Sequence, residues 1–137
     1  MRSSRLSVGA EPVLFDTDVL IYAQRGSRRA ALAIDNAARR LVSVQSLMEL
    51  VQGARDKDDL RIIKRFLAEL GFTVLPLTEN IGHRSLVYVE EYGLSAGLRA
   101  GDAIIAATAV ENALPLMSAN AKHFRPINEL DLVVFRL

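Results

Sequence analysis

Along this chain, short continuous apolar runs alternate with segments whose apolar residues return every three or four positions. The first pattern suits strands buried on both faces and the second suits amphipathic helices. Val13, Leu14 and Phe15 form the first run, which stops at Asp16, Thr17 and Asp18 in the manner of a strand feeding a helix. Ser27 opens a helical segment in which Ala31, Ile34, Ala38 and Leu41 recur, with Arg28, Arg29, Asp35, Arg39 and Arg40 off that stripe. A strand is expected at Leu41 to Val44 and a helix at Ser46 to Ala54. Asp56 or Asp58 then caps a helix with Leu60, Ile63, Phe66, Leu67 and Leu70 inward and Gly71 as its stop. Phe72 to Leu75 predicts a third strand, and Thr78 caps a helix carrying Ile81, Leu86, Val89 and Tyr92, with Gly93 as terminator. Ala100 to Asn112 is almost wholly apolar after Asp102, so this helix should be buried nearly all round and meet water only at its start. Leu114 to Met117 and Leu132 to Phe135 supply the last two strands.

Short apolar strands separated mostly by helices predict an α/β fold, with a central, mostly parallel sheet flanked by helices on both faces. Open sheets of this kind bind ligands outside the carboxyl ends of their strands, where strand order reverses. The residues just past each strand are therefore the candidates. Asp16 and Asp18 follow the first strand, Glu49 lies within two turns of the second, Asp102 starts the buried helix, and Ser118 and Asn120 follow the fourth.

Composition narrows the chemistry. The 137 residues are 50% apolar and without internal repeats, which fits one domain over residues 12–137 behind a loose N-terminal tail, 1–11. There is no cysteine, so thiol catalysis and thiolate zinc sites are excluded, and a reducing cytoplasm is the expected setting. No apolar run reaches the ~18–20 residues of a membrane span, so no membrane partner is expected. The net charge of +1 conceals an asymmetry of +4 through Arg65 and −3 from Phe66 onward. Arginine supplies 14 of the 17 basic residues, a balance suited to phosphate oxygens and equally to a solvated surface.

Each acid has an ordinary structural explanation. Asp16 can cap a helix, Glu49 can complete a capping box with Ser46, and Asp102 suits the positive end of a helix. Together they repel one another unless a cation neutralises them. A hard divalent cation, Mg²⁺ (or Mn²⁺), suits separated oxygen ligands, and hydrolysis of a phosphodiester without a protein nucleophile is the reaction it would serve.

The segments LFDTDVLIY, SLMELVQGA and GLRAGDAIIAATAVENALPLMSANAKHF resemble a PIN domain, most closely the toxin branch of VapBC toxin–antitoxin modules. GDAIIAATA together with the later S-x-N-x-x-H-F carries most of the resemblance, which runs from about Val13 to the final strand. It implies a PIN-like three-layer sandwich, metal-dependent endoribonuclease action on RNA, a cognate antitoxin as inhibitor, and a homodimer. By position, Asp16, Glu49 and Asp102 match the family's first three acids, and Asn120 takes the place of the fourth, where Asp and Asn both occur. Ser118 matches the small hydroxyl residue before it, and Asp18 stands where Asn is usual. The expected metal ligands are thus Asp16, Glu49 and Asp102, supported by Asp18, Ser118 and Asn120. Asp18 would compensate for Asn120, a negative charge having moved from one side of the site to the other.

Other residues divide between roles. His123 is expected to pack or hydrogen-bond rather than act as a base, and Tyr22 to pack rather than stack on a base. Arg25, Arg28 and Arg99 are the candidate RNA contacts; Arg99 could instead pair with a site carboxylate, and Arg29, Arg39 and Arg40 could join an RNA path or simply be solvated. Ile62, Phe66, Tyr88 and Tyr92 read as core, or as a groove for an antitoxin helix or second subunit. Two alternatives remain. The DTDV string resembles the start of haloacid-dehalogenase-type phosphatases with Asp16 as nucleophile, but only Lys57, Lys64 and Lys122 are available, and the acidic pairs Asp58-Asp59 and Glu90-Glu91 fall in helical stretches. The other is a receiver-like or non-catalytic PIN module that binds a cation without turnover.

Overall fold

The computed structural model describes residues 11–137, so the expected tail lies outside them except for Glu11. Five strands, β1 (Pro12–Phe15), β2 (Arg39–Ser43), β3 (Thr73–Leu75), β4 (Leu116–Ser118) and β5 (Leu132–Val134), form one sheet in the order β3-β2-β1-β4-β5. All four pairings are parallel, with Leu14 opposite both Leu41 and Leu116. The helices are α1 (Thr17–Gln24), α2 (Arg28–Asn36), α3 (Val44–Gln52), α4 (Lys57–Glu69), α5 (Glu79–Ala96), α6 (Ala100–Glu111) and α7 (Ala121–Phe124). Among the described residues, no helix is long and apolar enough to cross a membrane.

Alternation along the strands sends successive side chains to opposite faces and so builds two cores. Leu14, Leu41 and Leu116 join Ile81 and Tyr88 of α5 and the alanine-rich α6 on one face. Val13, Phe15, Val42 and Met117 meet Val19, Leu20, Ile34, Ile63 and Leu67 of α1, α2 and α4 on the other. Ala103, Ala106, Ala107 and Ala109 are all fully buried, as expected of a helix covered nearly all round. Chain order leaves β1 toward β2 and β3 on one side and is completed by β4 and β5 on the other, so strand order reverses between β1 and β4.

Several boundaries differ from expectation. The α2 stripe does not extend to Ala38 and Leu41: the helix stops at Asn36 and its buried positions are Ala30 and Ile34, while Ala31 is exposed. Leu41 belongs to β2, whose pairing with β1 begins at Arg39. Arg40 is turned inward to cap two helix ends, donating from Nε to Ile34 O, at 2.9 Å, and from Nη1 to Leu70 O, at 2.8 Å, so it is committed to the fold. The Ser43 hydroxyl accepts from Ser46 N and starts α3 at Val44, which removes the expected Ser46–Glu49 capping box. Gly93 does not end α5; the helix runs to Ala96 and stops at Gly97, whose φ of +73° is left-handed. Leu86, one of the apolar residues that suggested α5, is exposed.

Candidate functional site

The β1/β4 junction is where Asp16 emerges. Its N–H donates to Met117 O at 2.9 Å, continuing the ladder, and its side chain then caps α1, with Oδ1 accepting from Thr17 N at 2.8 Å. Oδ2 accepts from Ser118 Oγ at 2.7 Å, and that hydroxyl accepts in turn from Asn120 N at 2.9 Å. Burial pushes the Asp16 carboxyl from 3.8 up to about 7; the charge of Asp18 adds to this, the Ser118 and Thr17 bonds oppose it, and Asp102 adds a smaller push.

Asp18, two residues on, accepts from Ala119 N at 3.1 Å through Oδ2, while its buried Oδ1 has no partner among the described residues. Burial raises its pKa as well, against the backbone N–H groups of Val19 and Ala119. The expected displacement of charge across the site is not what the fold shows: Asp18 rests on Ala119, the residue before Asn120.

Glu49 arrives from α3, half-buried, with Oε1 2.5 Å from Thr17 Oγ1 and Oε2 accepting from Gln45 Nε2 at 2.9 Å. Asp102 stands in the first turn of α6 and faces His123 on α7, with Oδ2 3.3 Å from Nδ1. The same Nδ1 is 3.1 Å from Asn120 Nδ2, and one ring nitrogen either donates to Asp102 or accepts from that amide, so His123 is a hydrogen-bonding residue set between the third acid and the turn after β4. Asp16, Asp18, Asp102, Ser118 and Asn120 are thus brought to one place, with Glu49 beside them across Thr17.

No lysine or arginine ion-pairs with Asp16, Asp18, Glu49 or Asp102 among the described residues. Nor, among the described residues, do three or more acidic or imidazole side chains come close enough together to hold a metal ion between them. An all-oxygen donor set, a buried orphan carboxylate oxygen and mutual repulsion suit a cation that keeps several waters and takes few direct protein ligands, as Mg²⁺ does.

The candidate arginines separate. Arg25 caps the C-terminus of α1 and lines a cleft of about 400 Å³ with Glu49, Ile21, Leu50, Arg55 and Ile62. Arg28 is exposed in the first turn of α2, and Arg99 is exposed ahead of α6 with no site carboxylate paired to it among the described residues. Tyr22 stacks on Phe135, with ring centroids 6.1 Å apart, so its role is packing. The aromatic and Ile62 set splits: Tyr88 and Tyr92 pack in one core, Phe66 in the other, and Ile62 is exposed on the cleft wall. Sequence reasoning passed over Thr17, Gln45 and Gly101; their only signal was position, next to Asp16, one turn before Glu49 and next to Asp102.

A parallel sheet with its acids at the switch point between the first and fourth strands defines an α/β protein of acidic-site type. The PIN domain model matches residues 13–129. Ribonuclease VapC10 of Mycobacterium tuberculosis is 35% identical over 122 residues, spanning 86% of this chain and 90% of that one. A toxin–antitoxin complex from Klebsiella pneumoniae superposes with a TM-score of 0.77 at 29% identity, covering 91% of this chain and 99% of that one. The DNA-bound VapBC of Salmonella typhimurium reaches 0.79 at 19% identity over 90% and 98% of the two chains, a likeness of fold. The chain belongs to the PIN-domain family, in its VapC-type branch.

Proposed function

We propose that this protein is a metal-dependent endoribonuclease, the toxin of a toxin–antitoxin pair, cytoplasmic and homodimeric. The observation that carries the catalytic reading is Asp16, 6% exposed and beside two further carboxylates, with no cationic side chain paired to it among the described residues. Burying a charge in this way is costly, and a fold keeps it where a cation will repay the cost. Asp16, Asp102 and Glu49 would hold Mg²⁺ (or Mn²⁺), with Asp18, Ser118 and Asn120 in support. Such an ion, when bound, supplies an activated water and charge stabilisation at phosphorus.

The chain's own part is to place and orient. Ser118 fixes one oxygen of Asp16 and the Thr17 N–H fixes the other, so this carboxylate points one way. His123 holds Asp102, and Arg25 sets a guanidinium in the cleft that adjoins Glu49, where an RNA phosphate would be met. Arg28 and Arg99 would extend that contact from exposed positions. The toxin assignment draws on the names of similar proteins, a ribonuclease and a toxin–antitoxin complex.

The test is incubation of purified protein with structured and unstructured RNAs, with Mg²⁺, with Mn²⁺ and with a chelator, beside Asp16→Asn. Cleavage that requires the cation and disappears in the variant is expected. Cation binding with no cleavage at any enzyme concentration would instead establish a non-catalytic module, and a phosphoenzyme trapped on Asp16 would establish a phosphatase. Co-expression with a small DNA-binding protein encoded alongside should abolish the cleavage.

A further inference from the structure

Glu49 has three rotatable side-chain bonds, and pinning such a chain costs up to ~2 kcal/mol of rotamer entropy, which bonds to both of its oxygens would offset. Both oxygens are held. Thr17 Oγ1 lies 2.5 Å from Oε1 and 2.9 Å from Ser46 Oγ. The single Thr17 proton belongs with the charged acceptor, because hydrogen bonds to carboxylates are the stronger ones, and the buried Ser46 hydroxyl can then donate to Thr17. Gln45, one turn before Glu49 on the same face of α3, donates to Oε2 at 2.9 Å.

A second observation concerns Gly101. Its backbone is outside the left-handed region, so no conformational demand explains a glycine within a helix, where it costs roughly 1 kcal/mol against alanine. Space does explain it. A Cβ at position 101 would stand 2.9 Å from Glu49 Oε2 and 3.0 Å from Gln45 Nε2. The missing Cβ leaves room for the Glu49 carboxylate against the first turn of α6, at the residue before Asp102.

We infer that Thr17 and Gln45 are the positioning residues of Glu49, and that Gly101 is the gap that lets its carboxylate lie against the first turn of α6, the turn that carries Asp102. Thr17 then serves two acids: its N–H holds Asp16 and its hydroxyl holds Glu49, linking elements 32 positions apart. The inference rests on the nuclease reading, since it assigns Glu49 to the same cation as Asp16 and Asp102.

The test compares the full chain with Thr17→Val, Thr17→Ser and Gly101→Ala, reading Mn²⁺ affinity by electron paramagnetic resonance, RNA cleavage, and Tm. Thr17→Val should weaken Mn²⁺ binding by roughly 10- to 100-fold, the usual cost of losing a group that orients a ligand. Thr17→Ser, which keeps the hydroxyl, should restore it. Gly101→Ala separates positioning from folding: the atoms it meets are the ends of flexible side chains, so Tm should hold or rise while Mn²⁺ affinity falls. Thr17→Val and Gly101→Ala both binding Mn²⁺ like the unaltered protein, while that protein cleaves RNA, would overturn this inference alone. An unaltered protein that neither binds Mn²⁺ nor cleaves RNA would overturn the nuclease reading, and this inference with it.

Discussion

Beside α5, the carboxylates of Glu111 and Glu129 share the guanidinium of Arg84, and Tyr88 adds its hydroxyl to Glu129 at 2.5 Å. Those contacts, Tyr88 first and Arg84 after it, hold Glu129 below its usual pKa. At the β1/β4 junction, Asp16 and Asp18 are more deeply buried, have no such cation among the described residues, and are both pushed upward. The chain can thus neutralise acids with arginine where only stability is at stake. It leaves them unneutralised at the one sheet edge where strand order reverses. A charge left costly by the fold marks function better than the number of acids does.

The sharpest way to break this contrast is Asp16→Asn. Asparagine caps helices as well as aspartate does, its Oδ1 accepting from Thr17 N while its Nδ2 donates to Ser118 Oγ where Asp16 Oδ2 had accepted, so the local structure should survive. RNA cleavage should fall by at least ~100-fold, on the scale of several kcal/mol of transition-state stabilisation. Tm at pH 8 should be unchanged or higher, because a buried charge has been removed. A large loss of Tm would place Asp16 with Arg84, as a structural residue.

Next in size is a pH effect of definite sign. The folded Asp16 carboxyl, at about 7, holds its proton more tightly than the unfolded one at 3.8, so this group's contribution is complete below pH 3.8 and is lost as pH rises through 7. Without divalent cation, Tm should therefore decline between pH 4 and pH 7 from this source. A cation that binds the ionised site restores it, so Mg²⁺ should raise Tm by about 5 °C or more at pH 8 and much less at pH 5. Equal Mg²⁺ effects at the two pH values would count against a cation at these acids.

The α5 cluster supplies the converse. Arg84→Met leaves Glu111 and Glu129 facing each other with one third of the arginine site open to water, which should cost about 1–2 kcal/mol in chemical denaturation. Cleavage per folded molecule should not change. A fall in turnover without loss of stability would show that the two regions are not separable.

The acids at the strand ends were legible in the sequence because a buried strand that stops at Asp16-Thr17-Asp18 is a local pattern. The contacts that join them were not, since the Ser118 bond to Asp16 and the Thr17 bond to Glu49 cross 102 and 32 positions. Strand order depends in the same way on how the helices pack. Helix ends show a subtler limit. Gly93 was the expected stop for α5, yet the helix continues to Gly97, where the next residue, Leu98, is buried and its N–H reaches back to Tyr92 O. Leu41 matched the α2 period, yet pairing with Leu14 claimed it for the sheet.

The smallest expected effect concerns where the unneutralised charge resides. Asp18 Oδ2 accepts from Ala119 N and its Oδ1 is buried without a partner among the described residues, so this carboxylate and Asn120 flank the same short turn after β4. Charge at position 18 should then substitute for charge at position 120. Asp18→Asn should weaken Mn²⁺ binding by about 5- to 10-fold, on the order of 1 kcal/mol, as one carboxylate leaves a site that retains others. Adding Asn120→Asp to that variant should recover most of the loss, because the negative charge returns to the same turn. An unchanged Mn²⁺ titration in Asp18→Asn would remove Asp18 from the site, and its buried Oδ1 would then be a cost the fold bears for no cation. Loss in the single variant without recovery in the double would keep Asp18 in the site but show that the turn distinguishes position 18 from position 120.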